Sequence, residues 1–241
     1  MATILNIETS TSVCSVALAS EGTILDHSED FNGRNHASVL SGFIKQALDY
    51  LARHEMKLDA VAVSIGPGSY TGLRIGLSEA KGLAYSLDIP LIGVKTLELM
   101  TVGVMFGHDS LPDGCLFAPM IDARRMEVYT AVYNIALEEV MAPQPLILDT
   151  ESYKAQLAEA PVVFFGNGSA KFKPLLEEAT AEGGQQQGAA AIFIPDVNPL
   201  AVDMLALSER AWMRKDFLDL AYSTPLYLKE FQATKPRNLF V

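Results

Sequence analysis

The segment best equipped for chemistry is Gly66-Pro67-Gly68-Ser69-Tyr70-Thr71-Gly72-Leu73-Arg74-Ile75-Gly76. Glycines let a turn reach backbone angles closed to other residues, and a helix that starts behind such a turn offers free N–H groups to an anion such as phosphate. The spacing is not that of a Walker loop: Thr71 stands five positions after Gly66, and no Gly-Lys-Ser/Thr follows. It is also a poor dinucleotide fingerprint. The glycines read G-x-G-x-x-x-G, and the next strand ends at Lys95 instead of a ribose-binding acid. The turn therefore either cradles an anion or is a tight strand-to-helix connection. A second turn, Gly166-Asn167-Gly168-Ser169, repeats the pattern. Two acids, Glu8 and Asp122, end strand-like runs that open the two halves of the chain. Asp122 and Arg124 either line a cleft or form an ion pair. Other chemistries find little support. No G-x-S-x-G elbow occurs, and His54-Glu55 lacks the second histidine of H-E-x-x-H. Cys14 has no basic neighbour to lower its pKa and reads as a buried strand residue.

Two similar sets of elements must position these residues. In the first half, strands are expected at Thr3–Thr9, Val13–Ala19 and Thr23–Asp30, then a helix from about His36 to Ala52 with apolar residues every three or four positions. A strand at Ala60–Ile65 enters the first glycine turn. A helix from Thr71 to Leu87, a strand at Leu91–Val94 and a helix from about Thr96 to Phe106 follow. The second half repeats the order. Strands are expected at Phe117–Asp122, Glu127–Tyr133 and about Pro145–Leu148, followed by a helix at about Glu151–Ala158 and a strand at Val162–Phe165. After the second glycine turn come a helix to about Glu178 and a strand at Ile192–Ile194. A last helix, capped by Asn198 with Pro199 at its first position, runs to about Lys215. Glu182 to Gly188 reads as a Gly/Gln-rich surface loop. The expected fold class is α/β, two tandem βββαβαβα ribonuclease-H-like lobes. This is the arrangement of the actin, sugar-kinase and Hsp70 superfamily, with lobes at 1–107 and 108–197. Residues 198–241 form a C-terminal helix and tail that could pack back on the first lobe.

Composition narrows the function further. The 241 residues include 18 Lys or Arg and 29 Asp or Glu, a net charge of −11, and 49% are hydrophobic. That supports a packed core and argues against disorder or a disulfide scaffold. Scattered basic residues weaken direct gripping of tRNA or DNA. Two cysteines without a C-x-x-C fit a reducing, cytoplasmic setting and exclude a zinc ribbon. Glu8 interrupts the first apolar stretch, so no signal peptide is expected, and no apolar run reaches membrane-spanning length.

The helix after the first turn carries a stripe of small residues, Gly72, Gly76, Ala80 and Ala84, flanked by Leu73, Leu77, Leu83 and Leu87. Glycine inside a helix costs about 1 kcal/mol relative to alanine. The stripe therefore implies a close backbone approach, either from the sheet of the same lobe or from another chain. The preceding helix is apolar around much of its circumference: Val39, Leu40, Phe43, Ile44, Ala47, Leu48 and Leu51 exceed a narrow stripe.

Several segments together resemble the bacterial TsaB family. They are Ile4–Thr11, His36, Gly66–Gly76, Ala80–Ala84 and Ile121–Tyr129, with weaker likeness at Gly166–Ser169 and Pro225–Lys229. The resemblance implies a non-catalytic scaffold in the synthesis of threonylcarbamoyladenosine in tRNA. Its partners would be a catalytic paralogue of the TsaD type and, through the complex, a TsaE-type ATPase. Alone it would self-pair as a homodimer, with tRNA held indirectly and no membrane contact. TsaD-type proteins hold a metal through H-x-x-x-H. Here Leu40 stands four residues after His36, and one imidazole cannot replace two ligands, so no metal and no catalytic residue is expected. Docking is expected through His36, Leu40, Phe43, Ile44, Ala47 and Leu51 of one helix and Gly72, Leu73, Gly76, Leu77, Ala80, Leu83 and Ala84 of the next. Glu8, Thr9, Gly66, Gly68, Ser69, Asp122, Gly166 and Gly168 would be vestigial nucleotide or phosphate loops. Glu8 stands where the superfamily carries an Asp, which puts a phosphate site in doubt. No cofactor is expected, with weak ATP or ADP binding placed at a subunit junction. The competing reading is an ATP-dependent small-molecule kinase working in the interlobe cleft.

Overall fold

The computed structural model describes residues 2–33, 35–181 and 189–229. Two five-stranded mixed sheets form the frame. In the first lobe, β1 (Thr3–Glu8), β2 (Cys14–Ser20) and β3 (Thr23–Asp30) make an antiparallel meander. β4 (Ala60–Gly66) and β5 (Leu91–Lys95) add parallel strands, giving the order β3-β2-β1-β4-β5. In the second lobe, β6 (Leu116–Asp122), β7 (Glu127–Tyr133), β8 (Glu139–Ile147), β9 (Val162–Phe165) and β10 (Ala191–Ile194) repeat it as β8-β7-β6-β9-β10. The helices fall at matching points: α1 (His36–Arg53), α2 (Tyr70–Leu87) and α3 (Thr96–Gly107), then α4 (Lys154–Glu159), α5 (Phe172–Ala181) and α6 (Leu205–Arg214). The duplicated βββαβαβα order is thus the observed one, and the fold is the actin-like, two-lobed α/β architecture.

Burial explains the layering. The central strands β1 and β4 are buried on both faces, as strands covered by helices on each side are. On one face of the first sheet, Ile7, Val16 and Val63 meet Leu40, Ile44 and Leu51 of α1 and Leu77, Ala80 and Ala84 of α2. On the other, Ile4, Ala17, Ala62 and Ile92 meet Leu99 and Val102 of α3 together with Ala201, Met204 and Leu207. Helix α3 also turns Leu97, Met100 and Val104 toward Phe117, Tyr133 and Phe165 of the second sheet, so it joins the lobes. The far face of the second sheet packs Phe164 against Tyr153 and Phe172. Helix α6 lies over β1 and β5 of the first lobe.

Three elements differ from their sequence expectation. Strand β8 begins at Glu139, well before Pro145, because Asn134 Oδ1 accepts from the Ala136 and Glu138 N–H groups and closes a hairpin with β7. Its prolines are tolerated because β8 is an edge strand. Helix α4 starts late. Asp149 Oδ1 accepts from the Glu151 N–H (3.0 Å) and the Ser152 hydroxyl (2.8 Å), and this turn holds 149–152 out of the helix. Asn198 is no cap: its side-chain amide donates to the Asp196 carbonyl. A 3-10 turn, Ala201–Met204, precedes α6, and its first N–H is met by Ser15 Oγ of β2 at 2.9 Å. The Gly/Gln-rich segment 182–188 lies outside the described residues. No helix among the described residues is long and apolar enough to cross a membrane.

Candidate functional site

The superfamily's phosphate corner would lie in the first lobe, between the β1–β2 turn and the β4–α2 turn. Here the two turns are packed into one another. The Ser69 N–H donates to the Ser10 carbonyl at 2.6 Å, which uses one of the amides a phosphate would need. A Cβ at Gly68 would collide with the Ser10 carbonyl, and one at Gly72 with the Thr9 carbonyl. Thr9 Oγ1 donates to the Gly72 carbonyl at 2.9 Å, and Ser69 Oγ caps α2 by accepting from the Gly72 N–H at 3.2 Å. His36 Nε2 lies 3.0 Å from the Thr11 carbonyl and ties the same turn to α1. Glu8 is fully buried behind these contacts. Its Oε1 accepts from the Ser10 N–H, while Oε2 and Ser10 Oγ have no hydrogen-bond partner. Burial pushes the Glu8 carboxyl up to about 7, against the opposing pull of the Ser10 hydrogen bond. A carboxylate that organises metal-bound phosphates needs an open, solvated face, and Glu8 has none.

The second-lobe corner is likewise internally bonded. The Asp122 N–H donates to Asn167 Oδ1 (2.8 Å), the Gly168 N–H to the Met120 carbonyl (3.0 Å) and Ser169 Oγ to the Gly166 carbonyl (2.8 Å). Asp122 Oδ1 accepts from the Arg124 backbone N–H at 2.5 Å and pairs with Lys171 Nζ at 2.7 Å. The Asp122–Arg124 relation is thus a backbone hydrogen bond, and the ion pair goes to Lys171. In the first-lobe corner the Ser69 amide and the Gly68 and Gly72 backbone are taken up by Ser10 and Thr9, whereas Asp122 of the second-lobe corner stays exposed. Among the described residues no group of three or more His, Cys, Asp or Glu side chains could hold a metal.

The expected docking surface needs a correction. Leu40, Ile44, Ala47 and Leu51 of α1 and Gly72, Leu73, Gly76, Leu77, Ala80 and Ala84 of α2 are buried in their own lobe. The reason is the small-residue stripe. It lets α2 sit directly on the β1–β2 turn, and a Cβ at Gly76 would collide with Thr9 Oγ1. Of the expected residues only His36, Phe43 and Leu83 keep partial exposure. The free face lies one position round the helices. Between α1 and α2 runs a shallow groove of about 360 Å³ lined by Ile44, Ser78, Glu79, Gly82, Leu83 and Ser86. Gly42 and Gly82 sit inside these helices, and a Cβ at either would meet nothing within 4 Å. These two glycines weaken their helices without serving an internal contact. Gly82 is visible in the sequence, but only the observed rotation of α2 separates it from the buried stripe.

After α6 the chain continues as a strap whose individual contacts sequence patterns do not reveal. The Leu218 N–H donates to the Leu91 carbonyl (2.8 Å) and the Leu226 N–H to the Ile65 carbonyl (2.6 Å). Lys81 Nζ holds the Ser223 carbonyl at 2.7 Å. The Tyr227 ring lies 5.2 Å from that of Tyr70, its hydroxyl accepts from Arg74 Nε at 3.1 Å, and Lys229 pairs with Glu127 of the second lobe at 2.7 Å. Partners this far apart in sequence leave no local signal.

Residues 30–236 match the TsaD family, described as tRNA N6-adenosine threonylcarbamoyltransferase. The TsaB protein of Bacillus subtilis, a tRNA threonylcarbamoyladenosine biosynthesis protein, is 34% identical over 186 residues, covering 76% of this chain and 78% of that one. TsaB of Escherichia coli is 38% identical over 131 residues, 54% of each chain. A crystal structure from Pseudomonas aeruginosa, of an uncharacterized protein with similarity to peptidase YeaZ, superposes with a TM-score of 0.77 at 27% identity. It covers 95% of this chain and 100% of that one. The identity to a TsaB protein over most of both chains, on a matching two-lobed fold, leads to one conclusion: the chain belongs to the TsaB family.

Proposed function

We propose that this chain is a non-catalytic subunit of the complex that installs the threonylcarbamoyl group on tRNA adenosine. Its task is to dock and activate a TsaD-type catalytic subunit through the outer face of α1 and α2. The observation that carries the non-catalytic part is the closed first-lobe corner, where Ser10 takes the Ser69 amide and Glu8 is buried behind it. A kinase would need that corner open, so the same contacts speak against the kinase reading. Exposed Gly42 and Gly82, beside half-buried Phe43, Ile75 and Leu83, support the docking face. Apolar burial there would supply most of the affinity. In the absence of the catalytic subunit the same face closes a homodimer, an isologous contact that a helical pair can make with itself. A TsaE-type ATPase joins through the assembled complex, and nucleotide sits at subunit junctions, outside this chain's own corners. The complex works in the cytoplasm.

The reading is tested by reconstitution. The TsaD-type subunit is incubated with tRNA, the threonylcarbamoyl donor and the ATPase, with and without this chain. Modified adenosine should form only when the chain is present, and the chain alone should form none. Turnover by the isolated chain, or full activity without it, overturns the reading.

A further inference from the structure

The chain carries a net charge of −11, yet cations gather where the strap after α6 passes from the first lobe to the second. Five cations from four separate segments converge there: Arg74 on α2, Arg124 and Arg125 in the β6–β7 turn, Lys171 before α5, and Lys229 on the strap. Contacts connect them. Arg74 lies over the Tyr70 ring, 4.4 Å from its centroid, and donates to the Tyr227 hydroxyl. Lys229, two residues further along the strap, reaches Glu127. The backbone of Glu127 accepts from Lys171 Nζ at 3.2 Å and donates to the Arg124 carbonyl at 3.1 Å. Among the described residues the facing carboxylates are Asp122, paired with Lys171, and Glu127, paired with Lys229. Two acids against five bases leave a local excess of +3 among those residues. The excess sits in Arg74, Arg124 and Arg125, which face no carboxylate within ion-pairing distance among the described residues. Arg124 and Arg125 are exposed, with φ of 72° and 50°, and their guanidiniums make no hydrogen bond to a described residue.

Resting on the reading that this chain works in a tRNA-modifying complex, we propose that this rim contacts the phosphate backbone of the tRNA substrate directly. A phosphodiester backbone suits these groups. Guanidiniums pair with phosphate oxygens in a bidentate fork, and a line of cations tracks successive phosphates without reading sequence. Strong negative charge elsewhere on the chain would confine RNA to this strip. The contact is auxiliary: the catalytic partner holds most of the tRNA, and the rim steers and orients it.

The test uses Arg124→Gly with Arg125→Gly. Glycine takes positive φ without steric cost, so the turn keeps its shape while both charges go. Lys57→Gln with Lys215→Gln removes the same charge near the starts of β1 and β5, at the opposite end of the first sheet. Fluorescently labelled tRNA is titrated with the complex of this chain and its TsaD-type partner over a range of KCl concentrations. Each phosphate contact adds about one unit to the slope of log affinity against log salt. The glycine pair should therefore lower the slope by about two and weaken binding at least about tenfold at 0.1 M salt, while the control pair matches wild type. The isolated chain is titrated in parallel at low salt, where wild type should bind weakly and the glycine pair should not. Identical slopes and affinities for wild type and the glycine pair overturn the rim. So does an equal loss in the control pair. If chain and partner fail to co-elute, the scaffold reading falls, and the isolated-chain titrations alone decide the rim.

Discussion

Replacing Glu8 with Gln should make the protein more stable at neutral and alkaline pH. Glu8 is fully buried, Oε1 is held by the Ser10 N–H, and Oε2 has no partner. Burial raises its pKa from 4.5 to about 7 in the folded chain. The unfolded chain therefore loses this proton near pH 4.5 and the folded chain near pH 7, so the folded state binds more protons in between. Stability falls with rising pH across that window and levels off above it. At about 1.4 kcal/mol per pH unit of separation, the group costs roughly 3 kcal/mol above pH 7, of which about 2–3 kcal/mol appears between pH 5 and pH 8. Glutamine keeps an acceptor for the Ser10 N–H while removing the titrating proton. Asp203, raised to about 6 by burial and by Glu29, tilts the pH profile in the same direction, but it is common to both proteins and cancels. Urea unfolding of wild type and Glu8→Gln at several values between pH 5 and pH 8 reads the difference. The variant should gain on wild type by about 2–3 kcal/mol over that range. Parallel pH profiles would show that Glu8 titrates normally, and the buried-carboxyl argument would fail.

Two further substitutions separate the inner and outer faces of α2. Gly76→Ala drives a methyl into Thr9 Oγ1 and should lower stability by about 1–2 kcal/mol in chemical denaturation, the overpacking cost less the helix-propensity gain. Adding Thr9→Ala should recover part of that loss. Gly82→Ala meets open space and should raise the stability of the free chain by up to about 1 kcal/mol, measured as a higher urea midpoint at constant slope. A loss at Gly82 would mean that the helix is packed there.

Periodicity and turn chemistry make the architecture legible. Short turn signals at Ser10–Ser12 and Ser20–Gly22 announce the meander, and apolar runs ending in glycine announce β4 and β9. The duplication follows from reading both halves in one order, and TsaB membership from the Gly66–Gly76 and Ile121–Tyr129 segments. What sequence does not supply is helix azimuth. A small-residue stripe looks the same whether it faces its own sheet or a partner, and the decision rests on Thr9, more than sixty positions from Gly72 and Gly76. β8 reads short in the sequence because Pro143 and Pro145 argue against a strand wherever edge position is unknown. The cap of the 3-10 turn before α6 comes from Ser15, across 186 positions, where local signals point to Asn198. The basic rim is invisible for the same reason: its cations come from four segments, and their convergence depends on the strap.

The central claim, that this chain works by presenting the outer face of α1 and α2 to a catalytic sibling, is tested most directly by Gly82→Arg. The site is open, so the free variant should keep the wild-type circular dichroism spectrum and denaturation midpoint or better. Size-exclusion chromatography with light scattering on an equimolar mixture with the TsaD-type subunit should show a complex for wild type and two separate species for the variant. A folded Gly82→Arg chain that still co-elutes with the partner would contradict the account.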